Sequence, residues 1–235
     1  MSYHMTSDDQ KRAAAEKAVE MIESGMAVGL GTGSTAEHFV RALAKQVREG
    51  LKIRATSTSE RTEALARELG IPVMSLDELG APDITVDGAD EVDKDLSLVK
   101  GGGGALLREK VVAAASKHMV VIADWSKRVE SLGTFPLPVE IVTFAPHTTM
   151  RRIAEAAAQC GCSGNLVRVR GGEAHPFRTD QGNFIADMSC EFIPNADELA
   201  RTLSGIAGVV EHGLFIGLCQ TLILGHTHGI EIVTR

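Results

Sequence analysis

Met26-Ala27-Val28-Gly29-Leu30-Gly31-Thr32-Gly33-Ser34-Thr35 runs from an apolar stretch into a glycine- and hydroxyl-rich turn, and a helical pattern from Ala36 to about Arg48 follows. Strand, turn and helix in that order open a βα unit. Backbone N–H groups, two hydroxyls and the positive end of a helix dipole meet at such a turn, which suits an anion. Upstream, residues 8–24 read as a helix with acidic residues in its first turn and Ala14, Ala18, Met21 and Ile22 on one face. Downstream, residues 53–56, 71–74, 83–86, 96–99 and 119–124 are short apolar runs. The charged amphipathic stretch 59–69 and a helical pattern at 105–116 lie between them.

This alternation predicts an α/β protein with a Rossmann-like, mostly parallel sheet, right-handed crossovers and a ligand at the carboxyl ends of the strands. The texture changes at Pro136 and Pro138, where residues 131–207 mix strand and helix patterns as a smaller α+β domain of ferredoxin-like, split βαβ type. Strand patterns beginning at Val209 are expected to rejoin the first sheet. The expected domains are therefore residues 5–130 with 208–235, and residues 131–207.

Composition narrows the class. The chain has 235 residues, 44% of them hydrophobic, enough for a substantial core, while 4% aromatic content and 24 glycines suit close helix-on-sheet packing and tight turns. A net charge of -7 argues against a nucleic-acid or membrane partner. No apolar run approaches the roughly 18 residues that span a bilayer, no signal-peptide core is present, and Cys160, Cys162, Cys190 and Cys219 lack zinc-site spacing; a cytoplasmic protein with free thiols is expected. Residues 1–4 precede a second methionine, Met5, and carry no structural weight. A surface turn is the expected place of His226 and His228.

Several motifs compete for the site. Gly29-Leu30-Gly31 begins a dinucleotide fingerprint, but position 34 is Ser and the next strand pattern ends Ala55-Thr56-Ser57 without the carboxylate that holds a ribose; a Gly-Lys-Ser/Thr P-loop is also missing. Asp87, Asp90, Glu91, Asp93 and Asp95 alone would be a solvated turn, yet Asp87 and Asp90 follow an apolar strand, at the edge where the anion loop is expected. In Lys100-Gly101-Gly102-Gly103-Gly104, four consecutive glycines carry an entropic cost that close approach of a ligand to the backbone would explain. By charge pattern alone Arg108-Glu109-Lys110 is an exposed helical run and Lys127 a surface lysine.

Together the runs Gly31-Thr32-Gly33-Ser34-Thr35, Asp87-Gly88-Ala89-Asp90-Glu91, Lys100 to Gly104 with Arg108-Glu109-Lys110, and Ala123-Asp124-Trp125-Ser126-Lys127 closely resemble ribose-5-phosphate isomerase, type A. The resemblance continues through Phe135-Pro136-Leu137-Pro138-Val139-Glu140 to Gly213-Leu214-Phe215. It implies a cofactor-free and metal-free aldose–ketose isomerase acting on a sugar phosphate, as a homodimer or dimer of dimers. Glu109 is then the base. Asp87 and Lys100 assist it, and Thr32, Gly33, Ser34, Thr35, Gly88, Ala89, Asp90, Gly101, Gly102, Gly103 and Lys127 bind substrate. Lys11 matches a basic position that reaches the phosphate. An amino-sugar phosphate deaminase on the same fold and a non-catalytic sugar-phosphate sensor are the competing readings.

Overall fold

The computed structural model describes residues 5–235, so residues 1–4 lie outside the described residues. In chain order the elements are α1 (Ser7–Val19), β1 (Ala27–Leu30), α2 (Ser34–Arg48), β2 (Arg54–Ser57), α3 (Glu60–Glu68), α4 (Leu76–Leu79), β3 (Ile84–Asp87), β4 (Glu91–Val92) and β5 (Leu98–Val99). There follow α5 (Leu106–Ala115), β6 (Met119–Asp124), β7 (Leu137–Ile141), α6 (Pro146–Gln159), β8 (Leu166–Val169), β9 (Phe184–Ser189), α7 (Ala196–Ser204), β10 (Val209–His212), β11 (Leu214–Phe215), β12 (Thr221–His226) and β13 (Gly229–Thr234). No described helix is long and apolar enough to cross a membrane.

One compact unit takes the chain up to Ala89, Arg108–Arg128 and Gly217–Arg235. Its six-stranded sheet has the order β13-β12-β6-β3-β1-β2, parallel throughout except that β13 returns antiparallel on β12. All six residues of β6 are buried, as expected where helices cover both faces of a parallel sheet. Val28, Leu30, Val86, Val120, Ile122 and Ile223 form the sheet side of the core, against Ala14 and Ala18 of α1 and Phe39 and Leu43 of α2. Glycine sets how closely α1 approaches: a Cβ on Gly225 of β12 would lie 2.1 Å from the Gln10 carbonyl oxygen. Helix α1 stops at Val19, short of the expected Ser24, because the Met21 and Ile22 N–H groups turn back to Ala18 and Val19 before Gly25 takes a positive φ of 99°. The expected strand at residues 71–74 amounts to a single bridge from Val73 to Ala55.

The second compact unit comprises Asp90–Leu107 and Val129–Ile216. Here β7-α6-β8-β9-α7-β10 builds a four-stranded antiparallel sheet of order β10-β7-β9-β8; β7 and β8 flank β9, the split βαβ arrangement. A three-stranded sheet of order β11-β5-β4 completes the unit. Of the strand patterns after Val209, only β12 and β13 rejoin the six-stranded sheet. β10 pairs with β7, and β11 with β5, because the unit's own free strand edges take their hydrogen bonds. Residues 90–107 cluster here for the same reason, a division that differs from the 131–207 expected.

Buried acids organise this unit. Glu91 Oε2 accepts the Gly133 N–H at 2.7 Å and Oε1 that of Phe135 at 2.6 Å, fixing the turn before β7. Glu140, fully buried in β7, accepts the Thr179 hydroxyl and the Asn183 amide on Oε1, each at 2.9 Å, while Oε2 meets no donor among the described residues. Burial pushes its carboxyl above the ordinary 4.5, against the pull of the two hydrogen bonds. A carboxyl raised by folding binds its proton more tightly folded than unfolded, so its contribution to stability is full below about 4.5 and is lost as pH rises through the folded value. Glu140→Gln keeps the Oε1 acceptor and cannot ionise. The difference in melting temperature, wild type minus variant, is expected to shrink as pH is raised from about 4 to 8 in thermal unfolding; a constant difference would contradict a raised carboxyl.

Candidate active site

At the carboxyl end of β1 the chain turns sharply because Gly31 has no side chain. A Cβ there would fall 2.3 Å from Asp87 Oδ1 and 2.5 Å from Asp87 Cα. The closeness lets Asp87, the fully buried last residue of β3, accept the Thr32 N–H at 3.0 Å and the Gly88 N–H at 2.7 Å on Oδ1. The Thr32 hydroxyl is held within 2.7 to 3.2 Å of those of Thr58, Ser59 and Thr62, and Thr62 also donates to the Gly31 carbonyl at 3.0 Å. These bonds of Thr32 shape the loop.

Gly33, at φ 110°, caps α2 without a side-chain hydrogen bond, so the first turn of that helix is open toward an anion. Gly33 and Ser34 are exposed, and Lys11 of α1 donates from Nζ to Ser34 Oγ at 3.2 Å. A Cβ on Gly88 would lie 3.8 Å from Thr35 Cβ, so the Asp-Gly turn and the hydroxyl loop face one another. Lys127 is half-buried in the short turn after β6, where Asp124 Oδ1 accepts the Ser126 N–H at 3.1 Å.

Glu109 departs most from what its neighbours' charges suggest. Helix α5 buries Leu106, Glu109, Val112 and Ala113, the three-to-four spacing of one face, and Glu109 is only 4% exposed. Gly29 makes this possible: a Cβ on it would sit 2.0 Å from Thr85 Oγ1 and 2.9 Å from Val112 Cγ1, so the bare backbone of β1 admits α5 at close range. Arg108, beside it, turns outward to Glu60 at 3.2 Å. Glu109 is thus a buried carboxylate on a helix packed closely against β1.

The second unit carries the remaining predicted residues. Lys100 is 2% exposed, its N–H donates to Gly213 at 2.8 Å, and its Nζ stands 5.5 Å from the centre of the Phe215 ring. A Cβ on Gly213 would lie 2.2 Å from the Lys100 carbonyl oxygen. Asp90, expected to line the sugar, accepts the Gly102 N–H on Oδ2 at 2.7 Å and so shapes the glycine run. Gly101 and Gly104 have φ of 102° and 82°, and Cβ atoms there would strike Leu106 at 2.8 Å and Phe177 at 2.4 Å. Sequence reading missed the Thr58, Ser59 and Thr62 cluster, although the hydroxyl run Thr56-Ser57-Thr58-Ser59 before a helix was a usable signal.

An exposed helix start beside a lysine, together with a buried carboxylate, is an arrangement found in enzymes of small anionic metabolites. The comparisons sharpen that. The family model for ribose 5-phosphate isomerase A (phosphoriboisomerase A) matches residues 54–229. The chain is 54% identical to ribose-5-phosphate isomerase A of Parvibaculum lavamentivorans, over 97% of this chain and 99% of the relative. Among solved structures it is similar to ribose 5 phosphate isomerase A from Neisseria gonorrhoeae, with a TM-score of 0.89, 40% identity and 99% of each chain covered. It is also similar to a D-ribose-5-phosphate isomerase in complex with phospho-erythronic acid, with a TM-score of 0.90, 33% identity and coverage of 98% of this chain and 100% of the other. The chain belongs to the ribose 5-phosphate isomerase A family, and it is an isomerase.

The packing at Gly31 makes a direct prediction. Gly31→Ala is expected to displace Asp87 and cost on the order of 1–3 kcal/mol of stability. Turnover should fall more than the lower melting temperature accounts for. Wild-type turnover and melting temperature would mean the loop yields freely.

Proposed function

We propose that the chain interconverts D-ribose 5-phosphate and D-ribulose 5-phosphate through a cis-enediolate, with Glu109 as the base that carries the proton. The observation that carries this reading is the burial of Glu109 on the sheet-facing side of α5, where charge pattern alone would have put it in water. In the open-chain aldose, Glu109 takes the proton from C2 while the C1 carbonyl becomes an enediolate oxygen. The same carboxyl then returns the proton to C1 and C2 becomes the ketone. Electrons only redistribute within the substrate, so no nicotinamide is required.

Asp87 moves the hydroxyl proton between the two oxygens and assists ring opening, and Lys100 with N–H groups of the glycine run steadies the developing oxyanion. Gly33, Ser34, Thr35, Lys11 and Lys127 hold the phosphate and hydroxyls, so that remote binding energy positions the reacting carbons. The relative's complex with phospho-erythronic acid supports the reading, because a four-carbon phosphorylated acid carries a planar charged carboxylate where an enediolate would be charged. The family resemblance further supports a homodimer or dimer of dimers, and the four free cysteines support a cytoplasmic setting.

With ribose 5-phosphate in deuterated water, the wild-type chain should produce ribulose 5-phosphate and incorporate deuterium. Glu109→Gln should still bind substrate but lose on the order of 10²- to 10⁴-fold in kcat; retained turnover would exclude Glu109 as the base. Lys11→Met and Lys127→Met should each raise KM several-fold with a smaller change in kcat, as expected for binding present in ground and transition states alike. An unchanged KM would remove that lysine from the site.

A further inference from the structure

The glycine run is held from the side opposite Asp90 by a residue that no motif marks. Arg170 follows β8 and lies two positions beyond Arg168, whose register partner is Asp187 of β9. On that face Arg170 reaches the diagonal neighbour: Nε meets Asp187 Oδ2 at 2.9 Å and Nη2 meets Oδ1 at 2.5 Å, a two-pronged pair. With the guanidinium so fixed, Nη1 projects onward and donates to two carbonyls at once, Gly101 O and Gly102 O, each at 3.0 Å. The Arg170 carbonyl in turn accepts the Phe177 N–H at 2.8 Å, and Phe177 closes against Gly104.

The geometry points to Arg170 as a positioning residue that aims and polarises the peptides of the glycine run, with Gly103 N–H as the donor it prepares for the developing oxyanion. Every peptide here is trans, so turning the Gly101 and Gly102 carbonyls toward Arg170 turns the N–H groups of Gly102 and Gly103 the other way. Asp90 takes the Gly102 N–H. The Gly103 N–H donates to no protein acceptor among the described residues, and Gly103 is exposed. A cation on a carbonyl oxygen draws charge through the amide and strengthens the N–H of the same peptide as a donor. Asp187 fixes the fork, the fork sets the two peptide planes, and Gly103 N–H presents the result. The catalytic part of this inference rests on the isomerase reading above; the hold on the glycine run does not.

The test separates the two. Arg170→Met removes the bridge, Arg170→Lys keeps a charge that cannot span both carbonyls and the carboxylate, and Asp187→Asn loosens the anchor while leaving Arg170 in place. Hydrogen exchange of the glycine run should quicken about 10-fold or more in Arg170→Met and Arg170→Lys, read at the Gly102 and Gly104 amides, whose bonds to Asp90 and Gly101 depend on the conformation of the run. With ribose 5-phosphate, kcat per folded molecule should fall on the order of 10- to 100-fold while KM moves less than about 3-fold, the split of an interaction made mainly in the transition state. Asp187→Asn should fall between these variants and wild type. Unchanged exchange overturns the proposal, as does a loss of kcat that disappears once the folded fraction is counted. Where Arg170→Met does not fold, Arg170→Lys and Asp187→Asn carry the same comparison. A wild-type chain inert toward ribose 5-phosphate would instead sink the functional reading, with the exchange data still judging the role of Arg170.

Discussion

The hydrogen bonds from the Thr32 and Gly88 N–H groups to Asp87 Oδ1 set the spacing of everything at the carboxyl end of the six-stranded sheet. One buried carboxylate oxygen joins the loop after β1 to the turn after β3. It can do so only because Gly31 leaves room for it, since any Cβ there would overlap both the Asp87 side chain and its backbone. The open first turn of α2 inherits its direction from that junction. The Thr58, Ser59 and Thr62 hydroxyls hold Thr32 from the other side, so the loop is fixed by hydrogen bonds satisfied within the protein, and an anion would meet a preformed set of donors.

Glycine works the same way at a second place in this unit. Gly29 in β1 brings α5 close enough for Val112 to touch the strand, and one turn earlier on the same face that closeness buries Glu109. Replacing hydrogen by methyl on β1 would thus act on a carboxylate through the position of a helix. The contact that packs the core therefore also takes this carboxylate out of water.

In the second unit acidic side chains do much of the work that backbone pairing does elsewhere. Glu91 holds the turn at Gly133 and Phe135, Asp90 holds Gly102, Asp187 holds Arg170, and Glu140 gathers Thr179 and Asn183. Irregular backbone at residues 100–104 and 131–136 has few ladder partners, and a carboxylate with two acceptor oxygens satisfies two N–H groups at once. Glu140 differs in having one oxygen without a donor among the described residues, and burial favours its protonated form.

Period and punctuation in the chain were enough to read the alternation of strands and helices, the mostly parallel sheet and the split βαβ pattern, because buried parallel strands are unbroken apolar runs and helices repeat every three to four residues. Residues 166–169 and the helix beginning near Asn195 needed nothing more. The glycine run and the tight turn after β1 were also legible, since glycine in series is costly and so is informative. The partners of β10 and β11 were not, because a two- or four-residue strand carries no mark of which edge will take its hydrogen bonds. Nor did the chain alone say that Asp90 serves the glycine run, that Arg108-Glu109-Lys110 turns its middle residue inward, or that Arg170 bridges two carbonyls 68 and 69 residues away. Each of those depends on how closely one backbone approaches another, and that distance is set by atoms remote in sequence.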